Sequence, residues 1–128
     1  MNNTKEPVDR RKHKRFEVPI GAFIVLGPHS TKVGRIIDIS MGGIAFRHVD
    51  KEEPSNGLYQ VDVFHMDSDF CLKNLPCETV SELETYESPF GSFIIREYAV
   101  QFGDLTPHQL SQLEYFIQNH TIRGWFDR

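Results

Sequence analysis

Short segments rich in β-branched and aromatic residues recur along most of this chain, with turn-forming residues between them. We predict six or seven short strands from eight such segments, two of which are strand pieces separated by a bulge or bend at Pro76. Strands at this spacing favour a small β-barrel or β-sandwich. Asp50–Gly57 and Thr85–Gly91 are predicted to be exposed loops. The predicted strand segments are Phe16–Leu26, Thr31–Ser40, Ile44–Val49, Leu58–Met66, Phe70–Leu75, Cys77–Leu83, Ser92–Glu97 and Tyr98–Gly103.

The pattern changes near the C-terminus, where a single helix is predicted. Thr106 is placed to be its N-cap, and Pro107 occupies the first helical position. Apolar residues then recur on one helical face, which we expect to pack on the core. This face consists of Leu110, Leu113, Phe116 and Ile117. With 128 residues and no internal repeat, the chain is expected to form one domain that is mainly β.

The two ends of the chain are the least constrained parts of the sequence. Residues 1–9 are polar and contain a proline, so we predict a flexible tail, with a single domain over residues 10–128. Thr121–Arg128 receives no structural assignment. Within it, Trp125 and Phe126 either pack back on the barrel or form part of a contact surface.

Charge is distributed unevenly along the chain. Residues 1–16 carry six basic and two acidic side chains, whereas the rest carries eight basic and sixteen acidic ones. The net charge of −4 therefore hides a basic segment, residues 10–15 (RRKHKR), joined to an acidic body. The acidic body excludes the domain-wide positive field of a general nucleic-acid coat. No apolar run approaches the roughly 20 residues that a membrane-spanning helix needs.

The basic segment directly precedes the first predicted strand. If the first two predicted strands form an antiparallel hairpin through the Gly27-Pro28 turn, Asp38 lies opposite about Pro19 and Ser40 opposite about Glu17. The basic segment then lies beside the turn that follows Ser40, although the two are distant in sequence.

Strand alternation predicts which side chains face a ligand at this end of the sheet. Ile37 and Ile39 are expected in the core, with Asp38 and Ser40 on the opposite face. The following glycines allow positive φ and let backbone N–H groups approach a ligand. The candidate site residues are Arg10, Arg11, Arg15, Asp38, Ser40, Gly42 and Gly43.

These residue types suit a ligand that is both anionic and guanine-bearing. Arginines bind phosphate or the guanine O6/N7 edge bidentately and can stack on a base. The aspartate accepts from guanine N–H groups, and the serine both donates and accepts. Each motif alone has a simpler interpretation, namely a solvated basic tail and an ordinary turn capped by its own side chains.

Other chemistry has weaker support in the sequence. None of the six histidines shows an H-x-x-x-H or H-E-x-x-H spacing, so we expect no metal. No nucleophile and base pair emerges, so we expect neither an enzyme nor a cofactor. Cys71 and Cys77 lack the C-x-x-C spacing, and no signal peptide precedes the first apolar segment. We therefore predict reduced thiols in a cytoplasmic protein.

Two motifs together make the chain recognisable. Arg11–Arg15 fits R-x-x-x-R, and Asp38–Gly43 (DISMGG) fits D/N-x-S-x-x-G. In this order, followed by short strands and a final helix, about residues 10–118 resemble the PilZ domain family of bacterial receptors for cyclic di-GMP (c-di-GMP). The resemblance implies a six-stranded antiparallel β-barrel with one C-terminal α-helix. One departure is Ala99, where the family often has glycine.

The resemblance also implies roles for individual residues. Arg11 and Arg15 would grip the phosphates and guanine faces, while Asp38, Ser40 and Gly43 would line the guanine pocket. In the family, an arginine immediately before R-x-x-x-R tends to accompany an intercalated c-di-GMP dimer. We therefore predict two ligands per protein.

The function that this resemblance implies is that of a receptor or adaptor. The ligand would neutralise the mutually repelling cations, order the basic segment on the barrel and alter the surface seen by an unknown downstream protein. Two alternatives stay open: a PilZ-fold adaptor that binds only protein, and a sequence-independent polyanion binder for nucleic acid or membrane. The intact motifs argue against the first, and the acidic body argues against the second and against a specific nucleic-acid partner.

Overall fold

The computed structural model of the protein describes residues 13–26, 32–49, 58–87 and 94–122. In these ranges the chain forms seven strands followed by one helix. The elements are β1 (Phe16–Glu17), β2 (Ala22–Leu26), β3 (Val33–Ile39), β4 (Gly43–Val49), β5 (Leu58–His65), β6 (Cys71–Glu87), β7 (Ile94–Phe102) and α1 (Pro107–His120).

Strands β2 to β7 close into an antiparallel barrel. Their order around it is β3-β2-β5-β6-β7-β4, and β4 pairs with β3 to complete the ring. The short strand β1 also pairs with β3, beyond the stretch of β3 that pairs with β2. The predicted six-stranded barrel with one C-terminal helix is confirmed, with β1 as an additional strand.

The first predicted strand is broken in two between β1 and β2. Pro19 has no N–H for a strand ladder, and Gly21 has a φ of 127°, which other residues rarely adopt. The break shifts the register, so Asp38 lies opposite Glu17 and not opposite about Pro19.

Strand β6 is longer than the sequence predicted. It runs unbroken through Pro76, and Thr85–Glu87, predicted as a loop, belongs to it. The irregularity expected at Pro76 lies instead at Asn74, which has a φ of 61° and whose N–H donates to Asp62 Oδ1 at 2.8 Å. Asparagine is one of the few residues that tolerates this conformation. The two segments predicted after residue 91 likewise form one strand, β7.

The helix α1 begins as predicted, with a capping box between Thr106 and Gln109. The Gln109 side chain also donates to the carbonyls of Lys73 and Asn74, at 3.1 and 3.0 Å, which attaches the first turn to the irregularity in β6. Among the described residues, no helix is long and apolar enough to span a membrane.

The predicted core face of α1 is only partly correct. Leu113 and Phe116 are fully buried in the barrel core, and Ile117 packs against it. Leu110 is 41% exposed, because it lies at the edge of the contact between the helix and the barrel. After the helix, the Ile122 N–H donates to the Glu17 carbonyl at 2.8 Å, so the chain returns to β1.

Candidate functional site

Arg15, the last residue of the basic segment, and the turn after β3 meet in the folded protein. Glu17 pairs with Asp38, and just before β1 the Arg15 Nη1 atom lies 3.9 Å from Asp38 Oδ2. The second arginine of R-x-x-x-R and the aspartate of D-x-S-x-x-G therefore share one site, as the hairpin predicted. Arg10 and Arg11 lie outside the described residues.

Ser40 shapes the turn between β3 and β4. Its side chain is nearly buried, and its hydroxyl oxygen accepts from the Gly42 and Gly43 N–H groups at 3.0 and 3.2 Å. Its backbone N–H donates to the Gly43 carbonyl at 2.9 Å. Because the hydroxyl accepts in both contacts, its proton stays available to a neighbouring acceptor.

The two glycines of this turn allow other atoms of the protein to approach closely, and neither of them has a positive φ. Among the described glycines, only Gly21 has a positive φ. A Cβ on Gly43 would collide with the Val100 carbonyl oxygen, across the ladder between β4 and β7. A Cβ on Gly42 would lie 2.6 Å from the His13 ring. The glycines therefore make room for other parts of the protein itself.

A bulge in β3 corrects the predicted alternation of side chains. The pairing with β4 shifts between Ile36 and Asp38, so Ile37 is the extra residue. Ile36 and Ile39 are buried in the core, whereas Ile37 is only half-buried and was wrongly predicted as a core residue. Asp38 still faces outward, which agrees with the prediction.

A pocket of about 810 Å³ opens beside this turn. This volume lies within the range of roughly 300–1,000 Å³ that small-molecule sites occupy. Its polar wall contains His13, Arg15, Asp38 and Ser40, and Asp104 contributes a further carboxylate. Among the described residues, the structure thus brings Arg15, Asp38, Ser40 and both glycines of the predicted site to one pocket.

The pocket also has an apolar lining, which the sequence reasoning missed. It includes Val80, Ala99, Leu105 and Leu110. Val80 is 56% exposed because β6 carries an extra residue where the pairing with β7 shifts between Thr79 and Ser81. No local sequence signal marks this bulge, since it depends on how two distant strands pair. Ala99 supplies a methyl group where glycine is frequent in the resembling family.

Other reactive side chains lie away from this pocket. Burial raises the pKa of the Cys77 thiol to about 12 and that of Tyr59 to about 12 as well, so neither is ionised near neutral pH. Both cysteines are free. Within the described residues, no group of three or more histidine, cysteine, aspartate or glutamate side chains could hold a metal ion.

Comparison with known families gives one match that covers most of the chain. A family model described as the PilZ domain matches residues 9–119. A search of curated protein sequences finds no match to this chain.

Solved structures provide similar folds. A PilZ domain with c-di-GMP of YcgR from Escherichia coli is 17% identical, with a TM-score of 0.68 over 88% of this chain and 92% of that one. The MrkH complex with c-di-GMP from K. pneumonia is 15% identical, with a TM-score of 0.66. The Bacillus subtilis inhibitor of motility MotI/DgrA is also 15% identical, with a TM-score of 0.59.

The last two matches cover 88% and 87% of this chain but only 52% and 51% of those proteins. This chain therefore corresponds to about half the length of MrkH and MotI. At these identities the likeness concerns the fold alone.

Proposed function

We propose, from the premise that this chain belongs to the PilZ domain family, that it is a receptor for c-di-GMP. The observation that carries the proposal is the meeting of Arg15 with the Asp38–Gly43 turn at one pocket. Such a ligand combines anionic phosphates with guanine bases. The lining of the pocket combines charged and hydrogen-bonding side chains with apolar side chains that suit the faces of a base.

The roles proposed for individual residues follow the two motifs. Arg11 and Arg15 bind phosphates and guanine faces, and Asp38 accepts from guanine N–H groups. Ser40 and Gly43 form the turn on which the base rests. Arg10 supports a second, intercalated c-di-GMP, which gives two ligands per protein.

The neighbouring structures add support of a limited kind. Two of the similar folds, from YcgR and MrkH, were solved with c-di-GMP. The transfer of that ligand to this chain rests on the residues that line its own pocket. The pocket also holds two carboxylates, Asp38 and Asp104, which disfavour indiscriminate binding of polyanions.

Titration calorimetry with c-di-GMP tests the proposal, with GTP and cyclic GMP as competing ligands. Arg15→Ala should weaken binding by about 10- to 100-fold, because a charge-assisted contact contributes about 1.5–3 kcal/mol. Arg47→Ala is the matched control. Arg47 is exposed to the same degree, 43% against 41% for Arg15, and likewise faces a carboxylate, Glu97 at 3.2 Å. It does not line the pocket.

The titration has outcomes that reject the proposal. Absence of wild-type binding at concentrations on the order of tens of micromolar would contradict a receptor role. Equal losses for the two arginine variants would indicate nonspecific attraction. An affinity that falls steeply with salt and shows no preference for c-di-GMP would favour the polyanion alternative. The molar ratio at saturation reports whether one or two ligands bind.

We further propose that ligand phosphates neutralise the basic segment and draw it onto the barrel, which changes the surface offered to a partner protein. Trypsin cleaves after lysine and arginine, so the segment itself is the probe. Saturating c-di-GMP should slow cleavage between residues 10 and 15 in the wild type and not in Arg15→Ala. We place this receptor in the cytoplasm, where both of its thiols would stay reduced.

A further inference from the structure

The imidazole of His13 lies directly on the turn between β3 and β4. A Cβ added to Gly42 would lie 2.6 Å from His13 Cδ2 and 3.5 Å from both Cγ and Nε2. These are the three heavy atoms nearest to such a Cβ, and they all belong to His13. An added Cβ at position 42 would therefore displace the His13 ring, whereas the φ of Gly42 does not itself call for glycine.

The two motifs that carry the family resemblance do not specify this contact. The D-x-S-x-x-G motif specifies Gly43 and leaves position 42 open, and R-x-x-x-R leaves position 13 open. Two unspecified positions that are distant in sequence thus meet in the folded protein.

The histidine ring also faces the pocket. His13 and Arg15 both line it, whereas the intervening Lys14 places its Nζ atom 5.9 Å from the Phe16 ring centroid. Residues two apart in an extended segment share a face. His13 therefore stands beside Arg15 on the wall that would meet the phosphates.

The charges of the described residues around this ring are mixed in sign. Among the described residues that line the pocket, the ionised groups are Arg15, Asp38 and Asp104. One cation thus faces two carboxylates. His13 is the remaining described group of the pocket that can gain a positive charge, and histidine does so between about pH 5 and 8.

We propose that His13 is a ligand-binding residue that couples c-di-GMP binding to the uptake of a proton. Seated on Gly42, its imidazolium donates an N–H to a phosphate oxygen of the ligand. The proton comes from solvent, and no covalent bond of protein or ligand changes. This inference rests on the proposed c-di-GMP site and adds a pH response to it.

Proton uptake can be measured directly by titrating c-di-GMP into the protein near pH 7 in phosphate and in Tris. The two buffers differ in ionisation enthalpy, so the difference in observed heat gives the number of protons bound per ligand. The wild type should take up a measurable fraction of a proton. H13Q should lose this uptake, with affinity about five- to tenfold weaker at pH 6 and nearly unchanged at pH 8.

Two further variants separate binding from a merely structural effect. G42A should displace the ring and reproduce the loss of proton uptake seen in H13Q, and the double variant should be no weaker than either single variant. H108Q is the control, because His108 is exposed in the first turn of α1 and does not line the pocket. It should keep the wild-type proton uptake.

The outcomes distinguish this inference from the proposed function. If c-di-GMP binds the wild type and H13Q with the same proton count, the role of His13 is overturned and the receptor function stands. If c-di-GMP does not bind the wild type at either pH, the proposed function fails and the role of His13 fails with it.

Discussion

The two ends of α1 lie in contrasting surroundings. At the first turn, Leu110 is exposed and borders the pocket together with Val80. At the last turn, His120 stacks on His65 with ring centroids 4.3 Å apart. The centroid of the Phe116 ring lies 5.3 Å from that of His120. The helix therefore leaves Leu110 exposed at its start and buries Phe116 towards its end.

This difference separates what stabilises the barrel from what is available to a ligand. Covered aromatic contacts contribute to the free energy of folding, whereas exposed apolar side chains beside charges contribute only when something binds them. The two regions are still connected, because Ile122 after the helix pairs with Glu17, and Glu17 pairs with Asp38 of the pocket. Variants on each side should therefore separate stability from affinity.

The largest effect is expected in the covered region. Phe116→Ala removes a fully buried ring from the core and should lower the free energy of unfolding by about 3–5 kcal/mol. Urea denaturation measures this loss. Tyr115→Ala is the control, because the adjacent Tyr115 is 53% exposed, and its loss should stay below about 1 kcal/mol. Similar losses for both would mean that this end of the helix is not packed as described.

A smaller effect is expected from the turn beside the pocket. Gly43→Ala forces a methyl group against the Val100 carbonyl, so β4 and β7 must separate, at a cost of about 2–3 kcal/mol. Gly103→Ala is the matched control, because its added Cβ would meet Pro76 at an ordinary contact distance of 3.5 Å. Denaturation of both variants compares the same chemical change at two positions. A Gly43 variant as stable as the Gly103 variant would contradict the close approach.

The pairing of the two motifs could be predicted because it depends on few facts. A hairpin between the first two predicted strands was enough to bring Arg15 beside Asp38, and this held although the register was wrong. The predicted PilZ family membership and the predicted barrel are confirmed as well. Both could be predicted because the motifs and the strand patterns consist of residues that are close together in the sequence. The roles assigned to Arg10, Arg11 and the other site residues stay predictions.

What the sequence could not predict depends on pairing between distant strands. The bulges that expose Val80 and displace Ile37 arise from the registers of β6 with β7 and of β3 with β4. The contact of His13 with Gly42 likewise joins distant parts of the chain. The same sequence is compatible with a solvated histidine and with one that packs on the turn, so the sequence could not show the contact. Leu110 has the same helical spacing as the residues of the core face, so the sequence predicted that it would be buried. Only the position of the first turn of α1 on the barrel shows that Leu110 is exposed.

The smallest effect is expected from the pH dependence of the covered region. Burial, and then the nearby His65, lower the pKa of His120 below its ordinary value of 6.5. Between the two values the unfolded chain binds more protons than the folded one, so stability falls as pH drops from about 7 through that window.

His120→Gln should flatten this fall, and His108→Gln should not. Because His120 is only partly buried and solvent screens the charge, the change should be smaller than that for Gly43→Ala. Urea denaturation at several pH values between about 5 and 8 measures the slope. An unchanged slope in His120→Gln would show that the stacked histidines do not resist protonation, and the contrast between the two ends of α1 would then rest on packing alone.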